Sequence, residues 1–411
     1  MSFCDVLVIG GGPAGCTAAT VLAREGWDVV LLEKDVHPRF HIGESLLPNN
    51  LPILERLGVA EAVRAIGVFK PGAEIVSDAL GTSVAFPFSY GLNPDYTHSY
   101  QVERARFDEI LFRNARASGV RAVEGVRVTG FRAAREGERG EVVAGDGVTY
   151  RPRFVLDASG RDTFMATRLK NKRSDKENST AAVFAHYRNV EFRRGETEGY
   201  ISIHLVKDGW FWLIPLPDGV MSVGFVGDRV AFRGAKGQAL LEAKIAESAR
   251  VAPRMREAER ISEVVTTGNY SYCADRAWGR GFYMIGDAFA FLDPVFSSGV
   301  YMAMSSAERG AAVASAWLRN PARGRVAARR AERLTRREAG RIGWLIKRIN
   351  RPVLRDMLMH PRNFLWMRDG LVSMLAGNLG RSPRTLVPVL AFKGAYCLLA
   401  WRARRGVAGR P

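Results

Sequence analysis

At 411 residues the chain has room for one large domain or two to three interlocked ones, and 47% apolar residues exclude a disordered chain. Four cysteines, Cys4, Cys16, Cys273 and Cys397, show no CxxC spacing; this argues against a zinc or disulfide scaffold and fits a reducing cytoplasm. The formal charge is +18, and thirteen basic residues fall between positions 319 and 355. Such a stripe suits anionic lipid, an acidic protein or a solvated helix face; nucleic acid is not expected as a partner.

The first 34 residues read as strand, turn, helix, strand. Positions 5–9 are a buried parallel strand, 14–25 a helix with a small-residue face, and 27–32 a second buried strand. No secretory leader is read there, because the first apolar run is short and lacks a basic start. Positions 107–117 form an amphipathic helix with Ile110, Leu111 and Ala115 on one side. Strands are expected at 120–131, 141–151 and 154–157, with a charged connector at 132–140. Aromatic-rich strands follow at 181–187, 200–206, 211–216 and 221–226, as an inserted sheet. A helix at 237–248, a strand at 282–285 and a long helix at 300–320 come next. The last seventy residues are helical. Their most apolar stretch, 386–401, is interrupted by Pro388, Lys393 and Gly394, so no span of the roughly 20 apolar residues a bilayer needs is expected.

The strongest chemical signal is Gly10-Gly11-Gly12-Pro13-Ala14-Gly15, a GxGxxG placed directly after a strand and opening a helix. Gly10 permits the tight turn, Gly12 lets backbone approach a pyrophosphate, and Gly15 lets helix and strand pack closely. The helix start adds N–H groups for the phosphates. Glu33 ends the second strand, where a carboxylate holds a ribose hydroxyl. A nicotinamide enzyme could use this loop too. Asp287, in Met284-Ile285-Gly286-Asp287-Ala288, and the segment Asp157-Ala158-Ser159-Gly160 tip the choice to FAD. Asp287 is placed for a ribityl chain, a plain helix cap being the alternative.

With Gly43-Glu44-Ser45, these segments resemble the flavoprotein monooxygenase superfamily over about residues 1–320. Two further motifs narrow the resemblance to flavin-dependent halogenases: Trp210-Phe211-Trp212-Leu213-Ile214-Pro215 matches WxWxIP, and residues 291–299 match FxxPxxSxG. The segments RFHIGESLLP (39–48) and DPVFSSGV (293–300) look most like phenol and pyrrole halogenases, whose substrates are often carrier-bound. The resemblance implies FAD reduced by a separate flavin reductase, O2, and chloride or bromide oxidised to hypohalous acid. That acid would travel to Lys70, in the context Lys70-Pro71-Gly72-Ala73, whose ammonium hydrogen-bonds it or whose amine forms a haloamine. Trp210, Trp212, Ile214 and Pro215 would wall the flavin from the substrate; Trp210 and Trp212 lie two apart on a strand and face one side. A paired aromatic core face is the alternative. Ser298 and Gly299 would bind halide at a helix start, beside Ser297. Phe296 stands where tryptophan halogenases carry an acid, which argues against free tryptophan.

Lys34, Arg39, Ser45, Gln101 and Arg104 complete the implied cofactor set, although Ser45 and Glu44 could brace a loop and Arg104 a structural ion pair. His204 reads as packing, and no histidine spacing indicates a metal. The C-terminal helices would form a lid and a docking face for an acidic acyl carrier protein, with peripheral membrane contact as the rival. The expected fold is α/β: a discontinuous Rossmann-like FAD domain (1–75, 98–165, 265–340), a β-sheet substrate domain (76–97, 166–264) and a helical segment (341–411). An FAD hydroxylase, a geranylgeranyl-reductase-like oxidoreductase and a non-catalytic flavin-binding module stay open as alternatives.

Overall fold

The computed structural model describes residues 1–134, 138–379 and 383–408. Part of the charged connector, 135–137, lies outside them. The first sheet grows from Ser2–Ile9, which pairs in parallel with Val29–Leu32 on one side and Thr149–Asp157 on the other. Phe282–Met284 and Arg121–Val123 extend it in parallel at the two flanks. Val6, Leu7 and Val8 are fully buried, as a central parallel strand covered on both faces requires. Helices Pro13–Arg24 and Gly299–Arg319 pack against each other on one face. Their start points gather at the carboxyl ends of the strands, where open α/β sheets bind ligands.

The second sheet runs in the order Ala290–Phe291, Val265–Ala274, Lys172–Arg188, Met221–Asp228, Gly209–Pro215, Ile201–Val206, Gly72–Ser77, Thr82–Pro87. Three of its strands depart from the expected division, Ala290–Phe291 among them, which lies in this sheet and not the nucleotide one. Gly72–Ser77 crosses the boundary drawn at 75, and Val265–Ala274 pairs with Lys172–Arg188 instead of joining the nucleotide sheet. The expected 120–131 strand is two, Arg121–Val123 and Val128–Arg132, split by Gly125 at φ +73°. Alternation along Gly209–Pro215 puts Trp210, Trp212 and Ile214 into one core and Phe211 and Leu213 into another.

The C-terminal helices are Pro321–Ile346, Pro352–Met359, Met367–Leu375 and Pro383–Ala408. They are not an appendage. Ile342, Leu345, Leu354, Leu358, Leu371 and Leu375 share a core with Trp210 and Trp212. One expectation is corrected: Pro388, Lys393 and Gly394 do not interrupt the chain there. Pro383–Ala408 is one helix with Pro388 inside it, and residues Arg384–Arg405 are long and apolar enough to cross a bilayer by length and composition. Pro388 lies in the second turn of this helix, which continues through it without the hydrogen bond its N–H would have made.

A Cβ on Gly15 would collide with the Gly10 carbonyl oxygen. Gly15→Ala is expected to destabilise the fold by about 1–3 kcal/mol through overpacking, read as a lower denaturant midpoint. Gly340→Ala, a helical site with open space, should instead be neutral or mildly stabilising.

Candidate active site

A cavity of about 640 Å³ opens at the carboxyl ends of the first sheet and reaches the second. At its core Gly10 takes φ +102°, with the Ala158 carbonyl where a Cβ would stand. Gly12 faces open space; a Cβ there would meet only the Arg39 guanidinium, at 3.6 Å. Helix Pro13–Arg24 has no side-chain cap, which leaves its first N–H groups for a ligand. Glu33 is buried, and its carboxylate accepts the Gly11 N–H at 2.5 Å and the Asp35 N–H at 2.9 Å. It therefore braces the glycine loop as well as lining the cavity. Lys34 lines the same end and donates to Asp162 at 2.7 Å.

Charge is neutralised locally. Asp108, fully buried, accepts two hydrogen bonds from Arg104 at 2.8 and 2.9 Å, and Arg39 stands 3.3 Å away. Burial alone would raise the Asp108 carboxyl, but the charge and hydrogen bonds of Arg104 hold it below the usual carboxylate range. Arg104 also donates to the Ile42 carbonyl at 2.7 Å. Arg104 thus makes the structural ion pair weighed above while still lining the cavity.

Asp287 also lines the cavity, next to Gly286, which packs against Ala14 of the glycine-loop helix. Burial pushes its carboxyl up to about 6 against the opposing pull of Arg161 and Arg104. Next to it, Pro294–Phe296 forms a turn, Ser297 takes φ +55°, and Gly299 opens the Gly299–Arg319 helix toward the cavity. Asp293 pins that turn: its carboxylate accepts from Thr180 at 2.8 Å and from the Val295 N–H at 3.2 Å.

Trp210, Trp212 and Ile214 face the cavity across the second sheet. The two indoles are buried, with centroids 5.9 Å apart, and Trp212 donates to Ser222 at 3.1 Å. Gly224 is required beneath Trp212, because a Cβ would strike its ring. Lys70, 1% exposed, lies in a separate small cavity of about 20 Å³. Its amine donates to the Leu46 carbonyl at 2.8 Å and sits 5.2 Å from the Phe88 ring centre. Burial lowers its pKa to about 7. Ile201, Val295 and Ser297 line both cavities.

Besides Lys70, four residues of the expected set are not on the lining of the large cavity. Gly15 acts through packing. Ser298 is buried, and its carbonyl accepts the Met302 N–H; Ser297 is the serine that lines the cavity. Pro215 ends its strand in the sheet. The Gln101 amide donates to the Gly199 carbonyl at 2.7 Å, tying the Ser99–Val102 strand to the segment before Ile201. His204 is buried among Arg254, Arg193 and Arg250; burial first, then those charges, lowers its pKa to about 3. Sequence reasoning missed Asp108, although its four-residue spacing from Arg104 on one helix was a readable sign. It also missed His186, which meets Glu44 at 2.6 Å across 142 positions. Burial works to lower the His186 pKa, but the hydrogen bond and charge of Glu44 raise it.

A Rossmann sheet carrying this loop, with a second sheet closing the cavity, defines an FAD-binding flavoprotein. The tryptophan halogenase family profile matches residues 5–94 and 90–349. A tryptophan 2-halogenase of Chondromyces crocatus is 39% identical over 75% of this chain and 60% of its own. A flavin-dependent halogenase of Armillaria mellea is 36% identical over 77% and 68%. Among solved structures, the flavin-dependent brominase Bmp2 superposes with a TM-score of 0.85 at 25% identity, covering 98% of this chain and all of that one. The myxobacterial chondrochloren halogenase CndH gives 0.78 at 33% identity, covering 84% and 82%. The chain belongs to the tryptophan halogenase family of flavin-dependent halogenases, and it spans about 60% of the length of the Chondromyces relative.

FAD is the cofactor of that family, and the residues here fit it. Ser45 Oγ and Arg39 Nε are buried at the cavity with no hydrogen-bond partner, and Gly12 leaves the approach that a pyrophosphate needs. Asp108→Ala would leave the buried guanidinium of Arg104 without its countercharge. A loss of about 3–5 kcal/mol of stability is expected, measured by denaturant unfolding, together with reduced flavin content of the purified protein.

Proposed function

We propose that this chain halogenates an uncharged electron-rich aromatic ring, a phenol or a pyrrole, using chloride or bromide, O2 and FADH2 from a separate reductase. The observation that carries the reading is the Lys70 amine, buried in an apolar compartment that shares Ile201, Val295 and Ser297 with the flavin cavity. Gly10, Gly12, Pro13, Ala14, Glu33, Lys34, Arg39, Ser45, Arg104 and Asp287 would hold FAD. When bound in reduced form, FAD supplies the two electrons with which O2 converts halide to hypohalous acid. The Gly299 helix start and Ser297 favour an anion beside it. Trp210, Trp212 and Ile214 keep the organic ring from the flavin side.

Among the described residues, no acid lines the Lys70 compartment. The neutral amine is therefore the form its surroundings favour. Its lone pair takes the halogen from hypohalous acid and water leaves; the haloamine then transfers halogen to a ring carbon, and the ring proton returns to the amine. Apart from Lys70 and Ser297 the lining is apolar, Leu47, Phe86, Phe88, Ile203, Phe296 and Leu375 among it, and among the described residues it holds no acid to pair the ammonium of a free amino acid. That supports a neutral ring over tryptophan, the substrate in the Chondromyces relative's name. At about 20 Å³ the compartment must widen to admit a ring, and Leu375 places the Met367–Leu375 helix in its wall as a lid.

Lys70→Ala should abolish halogenated product while FAD still binds. The substrate panel holds phenols, a pyrrole free and as a carrier-bound thioester, and tryptophan, each with chloride and with bromide, read by mass spectrometry. Halogen incorporation by Lys70→Ala at the native rate would refute the relay. Oxygen or hydrogen gain without halogen would return the chain to a hydroxylase or reductase.

Single-turnover halogenation should rise with pH through about 7, as the amine loses its proton, and level off above; a fall above that pH would assign the work to the ammonium instead. Stability has the same origin. The unfolded chain holds the Lys70 proton up to its ordinary value of 10.5 while the folded chain releases it at about 7, so stability rises with pH across that window. Lys70→Met should therefore melt above the wild type at neutral pH, with the gap closing toward alkaline pH.

A further inference from the structure

The Pro383–Ala408 helix is docked on one side only. Thr385, Pro388 and Phe392 are buried beneath it, and Tyr396 packs edge-on against Trp344 at 5.1 Å. The opposite face carries Val387, Leu390, Leu398 and Trp401, which are 58%, 57%, 49% and 49% exposed. Their spacings of three, eight and three residues keep them in one stripe, about 21 Å long. Phe364, Leu365 and Trp366, 72%, 47% and 60% exposed, form a turn that packs against the same helix. Scattered exposed apolar residues need no explanation, but a contiguous set of this size marks an interaction site.

Charge surrounds this face. Residues 341–411 contain fourteen basic and two acidic side chains, a net +12 of the chain's +18, and no acid follows Asp369. Arg402, Arg404 and Arg405 are exposed just past Trp401, and the Arg405 guanidinium lies 4.0 Å from the Trp401 ring centre. Arg384 is exposed at the other end.

We propose that this helix and the Phe364–Trp366 turn seat the protein on an anionic lipid surface, the helix lying flat with its outer stripe at the headgroup boundary. Aliphatic and tryptophan side chains on one face, flanked by arginines, are the pattern of an interfacial helix. The helix does not span, because Phe392 and its neighbours tie its inner face to the protein core. A second copy of the chain would bring two strongly cationic faces together. An acidic carrier protein would satisfy the charge but not the apolar stripe. The lipid boundary satisfies both.

Flotation of the full flavin-loaded chain with vesicles of phosphatidylcholine and phosphatidylglycerol, against pure phosphatidylcholine, tests this. The chain should float with the anionic vesicles and be partly released by high salt. Leu398→Glu with Trp401→Glu should cut partitioning by about tenfold or more, while halogenation of a soluble ring is unchanged. Should that variant misfold, Arg402→Gln, Arg404→Gln and Arg405→Gln keep the apolar face, and each should weaken binding by about fivefold. Failure to float, or binding that survives both sets of changes, overturns the proposal. So does concentration-dependent self-association, or binding to an acidic carrier protein in place of vesicles, that Leu398→Glu with Trp401→Glu abolishes. Loss of halogenation in Lys70→Ala leaves this test untouched, so the two readings fail separately.

Discussion

A single amine held out of water, with no countercharge, sets the terms for the rest of the molecule. Lys70 is 1% exposed and has one hydrogen-bond partner, the Leu46 carbonyl. Keeping water from it requires a complete apolar shell, and no single element can supply one. Phe86 and Phe88 come from the short hairpin region, Ile201 and Ile203 from the middle of the second sheet, Phe296 from the turn before the long helix, and Leu375 from the C-terminal helices. These contributors are joined in one core, so the helical segment that closes the chain is part of the compartment's construction.

The flavin cavity is built on the opposite principle. Its walls carry several charges made tolerable by partners: Arg104 and Arg39 by Asp108, Glu44 by His186, Lys34 by Asp162; the Asp287 carboxyl is instead pushed up to about 6 by burial. A buried charge without such a partner would cost several kcal/mol. The two chambers meet at Ile201, Val295 and Ser297, and Trp210 and Trp212 present large rigid rings to the polar one. Wide, stiff rings suit that lining because they present large apolar faces, and Ser222 accepts the Trp212 indole N–H.

The fold leaves one surface unlike the others. Most of the chain's excess charge sits on its last seventy residues, where the helices combine an inward apolar face that belongs to the core with an outward one that does not. The same sequence stretch looked interrupted when read linearly, because proline, lysine and glycine punctuate it. In three dimensions Lys393 lies 5.1 Å from the Trp344 ring and Pro388 is buried on the docked side, so neither breaks the outer stripe. Periodicity at the helical repeat, and not the uninterrupted run, was the informative quantity.

What the sequence by itself determined is local. The glycine loop, the strand before it and Glu33 are encoded within about thirty positions, since steric demands on a tight turn leave few residue choices. The alternation that puts Trp210 and Trp212 on one face follows from the pleat. The Arg104–Asp108 pair was within reach for the same reason, one helical turn apart. Only the tertiary structure decided which of these residues meet. His186 finds Glu44 across 142 positions, and Gln101 turns from the cavity toward Gly199. Val265–Ala274 leaves one sheet for the other. Each outcome depends on burial and pairing energies summed over the whole core, which no local pattern carries.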